Sequence, residues 1–228
     1  MRVIAGKFRS RPLASLEGQG TRPTYDRLKE TLFNVLAAAG ILEGAELLDL
    51  FAGTGSIAVE ALSRGAAHVT LVENSRRAVR IINENLKTLN IADEAEVMEC
   101  DVAEALRRLR QQNRSFDVIF LDPPYELHGA YEQVLRHVSE SIAQAQSAQP
   151  QTADASSDPD PSPNSGVLLR PGGVLIAEHE KRFDPGDGSG QLARYRVLTQ
   201  GESSLSFYRS RVRDQGTGTR KTLEVADL

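Results

Sequence analysis

Apolar residues recur along this chain with two different spacings. Short apolar runs at Glu46–Phe51, His68–Glu73 and Phe116–Leu121 have the length of buried strands. The segment Ser75–Asn90, by contrast, has an apolar residue at every third or fourth position, as one face of a helix does. Strands that alternate with helices predict right-handed βαβ units and a parallel sheet covered on both faces.

The other boundaries follow from capping residues and from breaks in the pattern. Pro23 and Gly40 bracket a helix that begins near Thr24. Further helices are predicted at Ser56–Arg64, Val102–Gln111 and Gly129 to about Ala145, and further strands at Ala95–Cys100, Gly173–His179, Arg194–Thr199 and Leu205–Arg209. The last two strands have no helix between them, which predicts an antiparallel hairpin at one edge. The predicted fold class is therefore α/β, with a mostly parallel seven-stranded sheet and helices on both faces.

Charge divides the chain into segments. Residues 1–30 hold seven basic and three acidic side chains, although the whole chain has a formal net charge of −4. We expect a basic N-terminal arm over 1–23, which either binds an anionic partner or is a solvated tail. One folded domain should span 24–213. Within it, the polar segment 146–166 is expected to be a disordered insertion, and 214–228 a flexible tail.

Composition narrows the class of protein. The chain has 228 residues, 40% of them hydrophobic, which suffices for one well-packed α/β domain. It has no apolar run long enough for a membrane span and no signal-peptide pattern at its start. Its single cysteine, Cys100, cannot form an internal disulfide, which fits a reducing compartment. A cytoplasmic protein is expected.

The strongest local motif follows the first strand. In the segment Asp49–Ser56 (DLFAGTGS), Gly53 and Gly55 allow a tight turn that a ligand can approach closely. The third glycine of the dinucleotide pattern is replaced by Ala58, and no phosphate-binding lysine motif is present. The turn therefore favours a nucleoside ligand other than NAD or ATP.

Acidic residues end the next two strands. Glu73 follows Gly55 by 18 residues and could accept hydrogen bonds from two ribose hydroxyls. Asp101, after the third strand, could accept one from an adenine amino group. Together with Asp49, these acids suit a ligand with adenine, ribose and a positive centre. Each of them could also simply end a strand at the surface.

The fourth strand ends in Asp122-Pro-Pro-Tyr125. Two prolines fix an extended backbone and remove two N–H donors, so this segment presents hydrogen-bond acceptors. Tyr125 adds an aromatic face for a planar base. The motif suits a base whose exocyclic amine donates to Asp122 and to a backbone carbonyl. A rigid proline turn is the alternative. Glu178–Glu180, at the end of a later strand, could shape the same pocket or lie at a surface.

These motifs resemble a known family. DLFAGTG, VE, CD and DPPY look like the amino-methylating Class I methyltransferases that depend on S-adenosyl-L-methionine (SAM). With MRVIAGKFRSRPL, RPTYDRLKETLFNVL and LDLFAGTGSIAVEALSRGA, the chain is similar to the RsmD family over roughly residues 1–135 and 167–210. That resemblance implies a Rossmann-like fold and methylation of the N2 amine of a guanine in 16S ribosomal RNA of the small subunit.

The resemblance also implies roles for individual residues. Cofactor contacts are expected at Asp49, Phe51, Ala52, Gly53, Thr54, Gly55, Glu73, Asn74, Asp101, Val102, Arg22 and Thr24. Catalytic contacts to the base are expected at Asp122, Pro123, Pro124 and Tyr125. RNA contacts are expected at Arg2, Lys7, Arg9, Arg11 and Arg22. A monomer that acts on a small-subunit particle, without metal or membrane, is expected, and the target guanine should flip out of its stack.

Two other functions remain open from the residues. DPPY is shared with enzymes that methylate the N6 amine of adenine or another exocyclic amine in DNA, or in another RNA. Two features count against a DNA enzyme: the chain has no separate DNA-recognition domain, and it has the basic arm. A binding protein that keeps the fold without catalysis is the third reading, and the intact DPPY and glycine motifs count against it.

Overall fold

A computed structural model of the chain describes residues 1–16, 23–124, 126–148 and 166–211. The helices are α1 (Pro23–Ala38), α2 (Ser56–Ser63), α3 (Arg76–Leu89), α4 (Val102–Gln111) and α5 (Gly129–Ala148). The strands are β1 (Glu46–Leu50), β2 (His68–Glu73), β3 (Ala95–Glu99), β4 (Phe116–Leu121), β5 (Leu169–Glu180), β6 (Gly188–Ser189), β7 (Leu192–Gln200) and β8 (Ser203–Ser210). Among the described residues, no helix is long and apolar enough to cross a membrane.

The strands form one sheet in the order β3-β2-β1-β4-β5-β8-β7-β6. The first five are parallel, whereas β8 lies antiparallel between β5 and β7. The α/β fold with an antiparallel edge hairpin is thereby confirmed. The chain reverses its strand order between β1 and β4, so the crevice beyond their carboxyl ends is where ligands bind in such sheets.

The main differences between the structure and the predicted elements are at three places, and β7 and β8 also begin two residues earlier than predicted. The two-residue strand β6 is an eighth strand that pairs with β7. β5 begins at Leu169, four residues before its predicted start, because Phe116 already pairs with Leu169 across a bulge. α5 continues to Ala148, so the first three residues of the segment expected to be disordered are helical. Residues 149–165 and 212–228 lie outside the described part, so the remainder of that segment and the tail stay predictions.

Alternating strand residues fill a core on each face of the sheet. Leu47, Val118 and Ile176 point to the face covered by α1, α2 and α3. Their neighbours Leu48 and Ile119 point to the opposite face, which α4 and α5 cover. This division fixes which strand-end side chains can meet, since a residue two positions beyond a core residue shares its face.

The described part of the basic arm folds against the first of these faces. Val3 and Leu13 are buried in the core, and Arg2 and Pro12 form an antiparallel bridge. The resulting hairpin turns at Gly6, where an added Cβ would lie only 1.8 Å from the Ser63 carbonyl oxygen. Residues 1–16 are therefore a packed part of the domain. The predicted boundary at residue 23 falls beside 17–22, which are outside the described residues.

Candidate active site

The turn after β1 has a backbone that few residues adopt readily. Phe51, Gly53 and Gly55 have φ values of 63°, 56° and 77°, in the left-handed region. A Cβ at Gly55 would lie 3.1 Å from Cδ2 of Leu71, so glycine also lets the turn pack against β2. A Cβ at Gly53 would meet no atom within 4 Å. The backbone at Gly53 therefore faces open space that a ligand can fill.

Glu73 joins this turn to the end of β2. Its Oε2 accepts a hydrogen bond from the Gly53 N–H at 2.8 Å, and its Oε1 accepts one from the Ser75 N–H at 2.8 Å. The Ala52 N–H donates to the Val72 carbonyl at 2.9 Å, which fixes the same turn against β2. Because each carboxylate oxygen has a second lone pair, Glu73 is held in place and can still accept from a ligand hydroxyl.

A cleft of about 640 Å³ opens beyond the ends of β1, β2 and β3. Its volume lies within the range of about 300–1,000 Å³ that is usual for small-molecule sites. Five residues that were predicted to contact the cofactor line it: Phe51, Glu73, Asn74, Asp101 and Val102. The beginning of α5 forms the opposite wall. The predicted residues Asp49, Ala52, Gly53, Thr54 and Gly55 belong to the adjoining turn and do not line this cleft.

Asp101 has a structural role as well as a place in the cleft. Its Oδ1 accepts the Glu104 N–H at 2.8 Å and caps the N-terminus of α4. Helix capping was not among the roles predicted from the sequence for this acid, which were a ligand contact or a strand end at the surface. The side chain is nevertheless exposed at the cleft, so an adenine amino group could reach it.

Asp49 is a buried acid without a full set of partners. It is 2% exposed, and its Oδ2 has no hydrogen-bond partner among the described residues. Burial raises the pKa of Asp49 well above its usual value, and the charges of Asp122 and Glu73 raise it further, against a hydrogen bond from the Ala58 backbone. A positively charged ligand group beside Asp49 would relieve this cost, because an opposite charge favours the ionised form.

The predicted base-binding motif begins directly after β4. Asp122 is partly buried, Pro123 is buried and Pro124 is exposed. The Pro124 carbonyl accepts the Leu127 N–H at 2.8 Å, which turns the chain towards α5. No described residue donates a hydrogen bond to the Asp122 carboxyl group, and burial raises its pKa to about 7. Asp122 is therefore a desolvated hydrogen-bond acceptor at the carboxyl end of β4, the end of the parallel strands at which the cleft opens.

A second acid accompanies Asp122 at the end of the neighbouring strand. Leu121 pairs with Ala177 in the parallel ladder, so the next residues along, Asp122 and Glu178, are adjacent. Burial raises the pKa of Glu178 well above its usual value, and the charge of Asp122 raises it further. The sequence could indicate that Glu178 ends a strand, but only the pairing of β4 with β5 brings it beside Asp122.

Three of the predicted site residues cannot be placed. Tyr125 and Arg22 lie outside the described residues, and Thr24 is described only through its backbone in the first turn of α1. The aromatic contact to the base and the closing segment at Arg22 therefore stay predictions. Within the described residues, no group of three or more His, Cys, Asp or Glu side chains could hold a metal ion.

Four of the five predicted RNA-binding side chains lie on the docked hairpin, and the fifth, Arg22, is outside the described residues. Arg2, Arg9 and Arg11 are exposed, and none forms an ion pair with another described residue. Lys7 differs, because its Nζ lies 2.9 Å from Glu94 Oε2 in an exposed ion pair. Three of the five predicted cations are thus available to an anionic partner.

The sequence of this chain is similar to those of known proteins. Residues 1–149 match the family described as "Conserved hypothetical protein 95". The Bacillus subtilis protein YlbH is 33% identical over 211 residues, which cover 92% of this chain and 100% of that protein. The ribosomal RNA small subunit methyltransferase D of Haemophilus influenzae is 42% identical over 135 residues, which cover 59% of this chain and 68% of that protein.

Solved structures show the same fold. The Escherichia coli protein yhhF matches with a TM-score of 0.71 and 26% identity, over 93% of this chain and 99% of that chain. An RNA methyltransferase from Salinibacter ruber, solved with S-adenosyl-L-homocysteine, matches with a TM-score of 0.53 and 18% identity, over 84% of this chain and 97% of that chain. The second likeness concerns the fold alone.

Proposed function

Because the chain belongs to the RsmD family, which is the family described as conserved hypothetical protein 95, we propose that it methylates the N2 amine of one guanine in 16S ribosomal RNA. The methyl donor is SAM, the substrate is a particle of the small ribosomal subunit, and the site of action is the cytoplasm. The observation that carries the proposal is the position of Asp122, a desolvated acceptor followed by two prolines, beside the glycine turn and its cleft.

Three features of the glycine turn and the adjoining cleft fit SAM. The open space at Gly53 can take the methionine part of the cofactor, which carries an ammonium and a sulfonium charge. Asp49, whose buried Oδ2 has no hydrogen-bond partner among the described residues, supplies the negative charge that such a ligand requires. Glu73 and Asp101 line the cleft further along and offer acceptors for ribose hydroxyls and the adenine amino group. These acids would repel a polyphosphate.

The chain's own residues then act on the target amine. The amine is a weak nucleophile because its lone pair is delocalised into the base. When Asp122 accepts a hydrogen bond from the amine, the nitrogen lone pair becomes more available for attack. Bound SAM supplies an electrophilic methyl group on a positively charged sulfur. When the nitrogen takes the methyl group, which would leave the sulfur of SAM, Asp122 would take the proton that the nitrogen loses.

The position of the arm supports an RNA substrate. Arg2, Arg9 and Arg11 are exposed and unpaired among the described residues, so they can contact phosphates and fix the orientation of the RNA. A guanine in folded RNA must leave its stack to reach a site at the sheet edge. The rigid backbone at Pro123 and Pro124 offers such a base a fixed docking surface.

Methyl transfer from labelled SAM tests the proposal. Ribosomal RNA and small-subunit particles from a strain that lacks this gene are incubated with the protein, and the RNA is then digested to nucleosides. We expect N2-methylguanosine at one position. N6-methyladenosine, or label found only in a DNA control, would instead support the alternative amine methyltransferase. Binding of SAM without transfer to any of these substrates would support a protein that has lost catalysis.

A further inference from the structure

Glu178 stands beside the proposed acceptor Asp122 on the same face of the sheet. In the β4–β5 ladder Phe120 pairs with Ile176, and both belong to the core under α1, α2 and α3. Asp122 and Glu178 each lie two residues further along, so both side chains leave their strands on that face. Neighbouring strands are about 4.8 Å apart, which places both carboxyl groups within reach of one base.

His179 and the backbone of Glu178 hold the end of β5 in place, whereas the Glu178 side chain takes no part in these contacts. His179 Nε2 lies 2.9 Å from Ser206 Oγ, and the Tyr131 hydroxyl donates to the Glu178 backbone carbonyl at 2.7 Å. These bonds anchor the end of β5 to β8 and α5. The Glu178 carboxyl group itself has no hydrogen bond or ion pair with the part of the chain that is described. A rigidly mounted strand end thus presents an acid that lacks a donor.

Two adjacent, desolvated carboxyl groups without donors repel each other when both are ionised. Burial raises the pKa of both Asp122 and Glu178, and the charge of Asp122 raises the pKa of Glu178 further. A structure tolerates such a pair where a ligand brings donors to it, which is why groups of this kind cluster at functional sites. The ligand that fits this pair must carry two donors next to each other.

We propose that Glu178 selects guanine by accepting the ring N1–H of the target base while Asp122 accepts a hydrogen of its N2 amine. This inference rests on the proposed function. Of the RNA bases that carry an exocyclic amine, guanine alone has a ring N–H beside it. Adenine and cytosine have an unprotonated ring nitrogen at that place, whose lone pair faces an ionised carboxylate unfavourably. A flipped base is read through this Watson–Crick edge.

The pair also explains how a site that accepts any amine could become selective. Asp122 and the prolines recognise the amine, which all three bases share. Glu178 reads the atom next to the amine, where the bases differ. A site built to bond a donor rejects an analogue that lacks it, since its own buried group is then left unpaired.

A modified base in the substrate tests this role. 2-Aminopurine keeps the N2 amine but has a lone pair at N1 instead of a hydrogen, and it also lacks the O6 oxygen, so the comparison with the Glu178 variant below separates the effect of N1 from that of O6. Particles are reconstituted with RNA that carries either guanine or 2-aminopurine at the position methylated by the wild type. We expect kcat/KM of the wild type to be about 100-fold higher for guanine. Equal values for the two RNAs would overturn the proposal without the need for any variant.

The variant Glu178→Gln provides the second half of the test. Its side-chain N–H can donate to N1 of 2-aminopurine, so the preference for guanine should fall to less than about fivefold. Glu180→Gln, two residues further along and exposed, is the matched control and should keep the wild-type preference. Thermal unfolding and SAM binding check that each variant is folded.

The failure of this inference is distinguishable from failure of the proposed function. If the wild type methylates guanine but Glu178→Gln keeps the full preference, or loses both substrates in equal proportion, Glu178 does not read N1. If the wild type transfers no methyl group to guanine, the proposed function is wrong, and this inference falls with it.

Discussion

At the scale of single residues, the site is a set of acids of which Asp49 is buried and Asp122 and Glu178 are partly buried. Asp49, Asp122 and Glu178 all have raised pKa values, and burial is the first cause for each. They lie at the carboxyl ends of β1, β4 and β5, on one face of the sheet. A cationic cofactor and a base that donates hydrogen bonds are the ligands that would stabilise all three.

The loss of Asp122 should separate catalysis from cofactor binding. We expect Asp122→Asn to lower kcat by at least about 100-fold, because the amide cannot take the proton that the amine loses. The dissociation constant for SAM should change by less than about threefold, since Asp122 is proposed to contact the base. Single-turnover transfer and equilibrium binding measure the two effects. Asp187→Asn, at a carboxylate that is 92% exposed, is the control, and equal activity of both variants would remove Asp122 from the mechanism.

The raised pKa of Asp122 also predicts how stability depends on pH. The folded group has a pKa of about 7 against an ordinary value of 3.8. Between these values the folded protein holds a proton that the unfolded chain releases, so the free energy of unfolding falls as pH rises from about 4 to about 7. Above pH 7 the group is ionised in both states, and the full free-energy cost of burying its charge remains.

Asp122→Asn removes this penalty. Its melting temperature, measured without ligand, should exceed that of the wild type increasingly as the pH rises from 5 to 8. Burial of Asp49 and Glu178 acts in the same direction, so the variant should keep a smaller decline of its own. A difference in melting temperature that is constant over this range would contradict the raised pKa.

At the scale of elements, α2 connects the arm to the site. Glu60 is fully buried on α2 and accepts the backbone N–H groups of Ile4 and Ala5 at 2.8 and 2.9 Å. It also pairs with Lys29 at 3.7 Å and with Arg64 at 2.8 Å. One carboxylate therefore fixes the arm and α1 to the helix that begins directly after the glycine turn.

Truncation of Glu60 should be costly. Glu60→Ala leaves the buried Lys29 ammonium without its partner, so we expect the free energy of unfolding in urea to fall by about 3–5 kcal/mol. Glu94→Ala, which breaks the exposed pair with Lys7, should cost less than about 1 kcal/mol. If replacement of the whole pair with Lys29→Met and Glu60→Leu restores part of the stability, the unpaired charge is the cause. Similar small losses in both single variants would disprove the buried anchor.

The elements show what the sequence could predict and what it could not. β2, α4 and β4 have the predicted ends because hydrophobic period and capping residues act over a few neighbours. The docking of the arm depends on Glu60 and Asn85, which contact it from 55 or more residues away. Such contacts leave no periodic signal. The sequence likewise does not predict that Asp122 and Glu178 are adjacent, because their proximity depends on the pairing of β4 with β5.

At the scale of the whole molecule, the arm carries exposed cations and also contacts the glycine turn after β1. Asn85 accepts the Ala14 N–H at 2.8 Å and donates to the carbonyls of Ala14 and Thr54 at 3.2 and 3.1 Å. Thr54 lies in the glycine turn, and its hydroxyl also contacts the Met1 sulfur at 3.7 Å. Both ends of the hairpin therefore contact the glycine turn, while Arg2, Arg9 and Arg11 face solvent.

This arrangement predicts how RNA binding responds to salt. If the arm contacts phosphates, Arg9→Ala with Arg11→Ala should weaken binding and reduce the slope of log K against log salt by about 1.4, since each lost contact to single-stranded RNA accounts for about 0.7. Stability should hardly change, because both side chains are exposed. Arg209→Ala with Arg211→Ala removes the same charge near the amino ends of the parallel strands, where β8 ends, and should leave the slope unaltered. A wild-type slope in the arm variant would show that the RNA is held elsewhere, and the hairpin would then serve mainly to support the glycine turn.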